Sequence, residues 1–343
     1  MRNETKQHLD FIDLAKGICI LFVVSYHVDQ GELLYRNESV NTFFMSFRIP
    51  FYFMLSGLFV SFTHGYKNFL IKKVNRLVVP CVFFFSLTAL YALLFSVVRK
   101  QLIGEANGEI FDSSLYNFLI SENEKFDYPN IPIWFLVSLF TTYMIFLCFD
   151  WLTKGRNNYI VLALSIAIGT MGYLLSAYNV QITCYIDSSM TCMPFVAVGN
   201  ILRKKTNLLY TTDRKLIIGI AVACILITAC VCGGDVTFYR NEYNSTIFSL
   251  YFAGCFGSIA MLLIAKLIGY CPIVNYIGRY SIIVLGMHSF FIGLLTPVLT
   301  RLTHGDILIT KSALLILVVG GCTGCIYVMR RWVPWFVAQK DLI

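Results

Sequence analysis

Charge is what this 343-residue sequence has least of. Asp, Glu, Lys and Arg together make up 13% of it, against roughly 25% in soluble domains, while 57% is hydrophobic and the mean hydropathy is +0.71. That scarcity excludes a water-facing globular surface over most of the chain. Motifs of several large enzyme and channel classes are missing too. There is no Walker-type phosphate loop, no HExxH and no GxSxG. No apolar run carries the arginine ladder of a voltage sensor or a potassium-channel filter. No repeat or low-complexity tract is evident. The longest connection, 99–130, has about thirty residues, too few for a soluble core of its own. Cysteine is present twelve times, but most copies, such as Cys19, Cys81, Cys148, Cys224 and Cys255, lie inside apolar stretches. There they act as small hydrophobes and form no disulfide framework. Cys322 and Cys325 have CxxC spacing inside a Gly-rich run, where packing is the plain reading, and Cys184 and Cys192 are expected near the outer face, where a pairing is open to them.

Apolar runs of near 20 residues are what the chain has in quantity, each long enough for a hydrocarbon core of about 30 Å. Their positions predict about ten spans, over 9–28, 43–63, 77–98, 131–150, 159–178, 183–202, 215–232, 246–268, 279–300 and 309–329. The expected fold is an all-α polytopic membrane helix bundle, one membrane-embedded domain over 1–343. The first run contains Lys16 and lacks a small-residue cleavage pattern, so it is expected to stay as a span and not to be removed as a signal peptide.

Loop charge orients the bundle. The 64–76 loop is +4 through Lys67, Lys72, Lys73 and Arg76, the 203–215 loop is also +4, and the segment after 329 is +2. By contrast 29–38 is −2 and 99–130 is −3. Basic and acidic loops alternate, which predicts that both termini face the cytoplasm and favours an even number of spans. The 301–311 loop dissents, at +1 on the predicted outer side. The formal charge of +8 is thus a topology signal, and nothing in it points to nucleic acid.

Polar residues within apolar runs are expensive in a bilayer, so they are where chemistry is sought. Lys16 and His27 are eleven residues apart in the first run, a rotation of about 1100°, within about 20° of whole turns, so they share a helix face. Asp13 lies on nearly the same stripe. The plain alternative is a snorkelling lysine with an interfacial histidine. An imidazole, with an ordinary pKa of about 6.5, is the side chain best suited to act as a general base near neutrality. Arg48 opens the second run at a depth close to that of His27, suited to developing negative charge or to an anionic ligand, or simply to the interface. Lys72, Lys73 and Arg76 gather where the chain re-enters the membrane and suit phosphates, although the positive-inside rule also accounts for them. Trp134 reads as an aromatic-belt residue or as a platform for a sugar ring. Ser281 and His288, seven apart, share a face near mid-membrane, where a histidine needs a partner inside the bundle.

In order along the chain these groups resemble the acyltransferase 3 family of integral membrane acyltransferases, most closely the branch similar to fucose 4-O-acetyltransferases. Ile12-Asp13-Leu14-Ala15-Lys16-Gly17 followed by His27 resembles the family's L-D-x-x-R-G and later histidine, with lysine replacing arginine. Phe47 to Gly57 looks like its F-x-x-P-x-F-F-x-x-S-G. Lys73-x-x-Arg76 before Pro80 is similar to its R-x-x-R, and Trp134-Phe135-Leu136 to its WFL. Val198-Gly199-Asn200 falls where the family has a glycine before a basic loop, and Gly278-x-x-Ser281 through His288 looks like its late G-x-x-S and histidine.

The resemblance implies an O-acyltransferase that moves an acyl group, usually acetyl from acetyl-CoA, to a hydroxyl of a cell-surface carbohydrate or its lipid-linked precursor. The expected setting is the bacterial cytoplasmic membrane. His27, Lys16 and Asp13 are then the catalytic candidates, with Arg48, Trp134, Ser281 and His288 for substrate and Lys72, Lys73 and Arg76 for CoA phosphates. No metal and no permanently bound cofactor is expected. Lys16 and His27 lie about 16 Å apart along a helix, about the length of a pantetheine arm. A rival from another class is a transporter or flippase for a polysaccharide precursor or small solute. Against it stands the lack of internal repeats and of matched broken helices.

Overall fold

The computed structural model describes residues 10–103, 118–119, 130–154 and 158–343; most of the acidic 99–130 connection lies outside them. Apolar runs become helices because a backbone in hydrocarbon must satisfy its own hydrogen bonds. Helices α1 (Asp10–Asp29), α2 (Glu38–Leu58), α3 (Tyr66–Lys73) and α4 (Val79–Ile103) come first. After them come α5 (Trp134–Leu152), α6 (Asn158–Ala177), α7 (Ile186–Lys205) and α8 (Arg214–Val231). The last four are α9 (Ile247–Ile268), α10 (Pro272–Arg279), α11 (Ser281–Leu302) and α12 (Ile307–Trp332). A helix stands at each of the ten expected positions, and the eight-residue α3 and α10 are additions. The second starts five residues early because Asn37 caps it, its side chain accepting from the Val40 N–H at 3.2 Å.

Among the described residues, eight helical segments are long and apolar enough to cross a membrane, so the chain is an integral multi-pass membrane protein. Helices α2 and α7 are not among them, since Ser46, Arg48 and Ser56 in one and Asp187, Ser188, Ser189 and Asn200 in the other lower their hydropathy. These two polar helices pack on each other inside the bundle, where their polar groups are shielded from lipid. Helix α1 is equally central, touching α2, α9, α10, α11 and α12. Over its most apolar 18 residues 61% is buried, against 22% for α6, α8 and α12, which form the rim.

Two reciprocal glycine contacts set the closest crossings. A Cβ at Gly57 would strike the Val196 carbonyl oxygen, and one at Gly199 the Met54 carbonyl oxygen, which pins α2 to α7. Gly17 and Gly278 do the same for α1 and α10, against the carbonyls of Val274 and Asp13.

Side-chain bonds gather the loops into two ends. At the basic end Tyr66 donates to Asp150 (3.1 Å), Arg203 to the Leu58 carbonyl (2.8 Å) and Asn275 to the Asp10 carbonyl (2.7 Å). Between α3 and α4 the residues Val74–Val78 form a π-turn, in which the Val79 N–H reaches back to the Val74 carbonyl. Pro80 lacks the N–H that an α-helix would send to Arg76, so a wider turn costs less here. Buried Asn75 in that turn accepts from the Leu342 and Ile343 N–H groups (2.8 and 3.0 Å) and donates to the Ile343 carbonyl (2.9 Å), which ties residues 333–343 under this end.

At the opposite end the Asp29 carboxylate accepts from the N–H groups of Leu33, Leu34 and Tyr35 at 3.0–3.1 Å and so shapes the exit from α1. The 232–246 connection folds inward as a short antiparallel hairpin, Val236–Thr237 paired with Glu242–Tyr243. Asn241, with φ of 51°, accepts from Thr191 (2.9 Å) and donates to the Gly172 carbonyl (2.9 Å), while Ser188 donates to the Phe238 carbonyl (2.6 Å). These buried bonds hold the hairpin tip between the helices.

Candidate active site

A cavity of about 630 Å³ runs between α1, α2, α5 and α11. Along α1 its wall extends from Ile20 to Gln30, and along α11 from Ser281 to Gly293, so it is about 15–18 Å long. Leu77 of the π-turn bounds it toward the basic end, and Val236, Thr237, Phe238 and Tyr239 of the inward hairpin bound it at the other. Its walls are mostly apolar, with a few polar groups converging on them, as in ligand-binding cavities generally.

Helix periodicity puts those polar groups there. Ile20, Val23, His27 and Gln30 follow at three- and four-residue steps on the α1 face turned inward. Met45, Arg48, Ile49 and Tyr52 do the same on α2. His27 is half-buried. Tyr26 stands edge-on to it at 5.6 Å, and the Arg48 guanidinium lies 3.6 Å from the centre of the Tyr26 ring. Arg48 is 8% exposed, has no ion pair among the described residues, and its Nη1 has no hydrogen-bond partner. A buried guanidinium in this state is suited to an anion or oxyanion that arrives with a ligand.

His288 lies behind His27. It is fully buried, its ring centre is 5.2 Å from that of His27, and its Nδ1 donates to the Val284 carbonyl at 2.9 Å. Its neighbour Ser289 lines the cavity while His288 does not. Trp134 is buried at the start of α5, 5.7 Å from the Tyr185 ring. It faces the cavity from the hairpin end, and Ser281 faces it from the start of α11.

Four of the expected site residues, His27, Arg48, Trp134 and Ser281, therefore meet on one cavity from four helices. Of the others, His288 lies behind His27, whereas Asp13, Lys16, Lys72, Lys73 and Arg76 lie toward the basic end, and none of them lines the cavity. Asp13 binds Arg279 Nε at 3.2 Å and Lys16 Nζ at 3.6 Å. Lys73 is held over the Tyr143 ring at 3.5 Å and near Phe69 at 5.0 Å, and Lys72 and Arg76 are exposed. Lys16 begins about one turn below Ile20, at the cavity's basic end, where Tyr52 donates to the Lys16 carbonyl at 2.9 Å.

Sequence reasoning missed Tyr26, Tyr52, Gln30, Ser289, Arg279 and the hairpin tip. Tyr26 and Tyr52 carry a signal, since Tyr26 precedes the motif histidine and Tyr52 stands at an aromatic position of the Phe47 to Gly57 motif. Nothing local marks residues 236–239, because only packing shows which loop turns inward. Among the described residues no three His, Cys, Asp or Glu side chains converge as a metal site would require. Cys184 and Cys192 are both free thiols.

The family model described as an acyltransferase domain, acyltransferase 3, matches residues 9–330. No curated protein and no solved structure matches the chain. The family match runs from the start of α1 almost to the end of α12 and so takes in every helix that lines the cavity, and on that ground this membrane protein belongs to the acyltransferase 3 family.

Proposed function

We propose that the protein transfers an acyl group, acetyl in the simplest case, from acyl-CoA to a hydroxyl of a cell-surface carbohydrate or its lipid-linked precursor, in the cytoplasmic membrane of a bacterium. The observation that carries this reading is the elongated cavity. It has a histidine, a buried arginine with no ion pair among the described residues and a tryptophan toward one end, and a cluster of cations beyond the other. Both termini and the basic end face the cytoplasm, as the loop charges favour. The CoA phosphates bind there, to Lys16, Lys72, Lys73 and Arg76, with Asp13 and Arg279 steadying Lys16. The pantetheine arm enters past Leu77 and Ser281 and brings its thioester to His27.

The acceptor enters from the hairpin end, where Trp134 and Tyr239 offer ring faces to a sugar. His27 takes the proton of the acceptor hydroxyl as its oxygen bonds to the thioester carbonyl carbon. Arg48 Nη1 stabilises the oxyanion that forms. The carbon–sulfur bond then breaks, and the proton passes from His27 to the departing CoA thiolate. The ester and CoA are the products.

The test is a reconstituted bilayer supplied with acetyl-CoA and a panel of sugar acceptors. Release of CoA that depends on an acceptor and matches ester formation is expected. Accumulation of a sugar or other solute inside vesicles with no acyl donor would instead make the protein a transporter. A second expectation concerns the donor end. Lys73→Met with Arg76→Gln removes two charge-assisted contacts worth about 1.5–3 kcal/mol each, so the KM for acetyl-CoA should rise tenfold or more. The acceptor KM should stay within about twofold; a change confined to the acceptor would move the phosphate site elsewhere.

A further inference from the structure

We propose that His288 is a positioning residue for His27, its Nε2 accepting the N–H of the His27 ring and holding that ring as the base. This rests on the reading of His27 as the general base and assigns a role to a side chain that does not face the cavity. Because a carbonyl oxygen only accepts, the bond to Val284 fixes the proton of His288 on Nδ1. Nε2 is then the lone-pair nitrogen, and among the described residues it is buried without a partner. A buried acceptor left unsatisfied in a fully enclosed side chain is costly, so its retention calls for a donor.

The ring that packs on it is His27, at 5.2 Å between centres and tilted by 48°. At that separation, turning the His27 ring so that one nitrogen points at Nε2 would close the gap to about 3 Å, the length of one hydrogen bond. The parallel course of α1 and α11 along the cavity keeps the two histidines at one level. With one His27 nitrogen donating to His288, the other is turned to the cavity with its lone pair free for the acceptor hydroxyl. During transfer the proton arrives on that second nitrogen and leaves with the CoA thiolate. His288 neither gains nor loses a proton; it keeps the imidazolium oriented and hydrogen-bonded while it exists.

The experiment compares His288→Leu and His288→Gln in the full-length protein in bilayers. Leucine fills the same apolar enclosure but leaves the His27 N–H without its acceptor, so kcat should fall about 100-fold while the elution profile in detergent stays that of a folded protein. Both KM values should stay within twofold. Glutamine offers an amide oxygen near the position of Nε2 and should restore kcat to within about tenfold of the native protein. Turnover of His288→Leu within threefold of native, equal loss in both variants, or an effect on KM instead of kcat would each overturn the assignment. The bond is also read without turnover. With 15N-histidine label over the five histidines, a nitrogen–nitrogen coupling between two ring signals is expected, lost in both His27→Gln and His288→Leu. Its absence in the native protein would overturn the pairing even if acyl transfer is established. Its presence in a protein without acyl transfer would leave the pairing standing and remove the functional reading alone.

Discussion

Replacing His27 with alanine should abolish acyl transfer while leaving an inserted, folded protein. General-base catalysis contributes about 10²–10⁴-fold, so turnover is expected to fall by at least that range. No other side chain on the cavity takes over the task. Tyr26 is committed to the Arg48 guanidinium, 3.6 Å from its ring, and His288 does not reach the cavity. Ser281 and Ser289 line the wall but are not bases near neutrality. The structural cost is small, because His27 is half-buried and borders an existing cavity, so little new void is created. Acceptor-dependent CoA release measures the loss, and an unchanged elution profile in detergent checks the fold. Turnover near that of the native protein would end the assignment of His27 as base.

The largest expected effect on stability comes from Gly199→Leu. A single added carbon at Gly199 would already overlap the Met54 carbonyl oxygen and crowd the Leu58 amide, and both are backbone atoms of a central helix. A side chain can rotate away from such an overlap, whereas the α2 backbone moves only with the whole helix. That helix carries Arg48 and the neighbouring α7 carries the bonds that hold the hairpin, so separating them opens the site as well. The expected destabilisation is about 3 kcal/mol or more, at the upper end for overpacked cores. Gly219→Leu is the control, since nothing lies within 4 Å of a Cβ there and the residue is exposed on the rim helix α8. Its thermal midpoint should match the native one. Equal stability of the two variants would show that the α2–α7 crossing is not set by glycine.

The same geometry divides the motifs that the sequence shares with its family. Gly17, Gly57, Gly199 and Gly278 all belong to those motifs, and all four are backbone-crossing points. They are there for packing. His27, Arg48, Trp134 and Ser281 come from the same short segments and are there to face the cavity. On a linear sequence the two kinds look alike, because each is a single residue out of character in an apolar run. Lys73 shows the converse. Its charge marks a basic mouth, yet its ammonium rests on the Tyr143 ring, a contact that depends on a residue seventy positions later.

Hydropathy and loop charge by themselves determined that this is a helical multi-pass membrane protein, and roughly where each helix lies. Both signals are local: an apolar run of near 20 residues has no alternative to a helix in hydrocarbon. Helical rotation likewise determined that Asp13, Lys16 and His27 share a face, because 100° per residue needs no knowledge of neighbours. The tertiary structure alone decided that Arg48 would have no ion pair among the described residues and that the 232–246 hairpin would turn inward to close the cavity. It also decided that the ring of His288, 261 residues downstream, would pack against that of His27. Those outcomes depend on which helix backbones can approach closely and what volume the remaining side chains leave between them. That is a sum over distant contacts, and no single stretch of the sequence contains it.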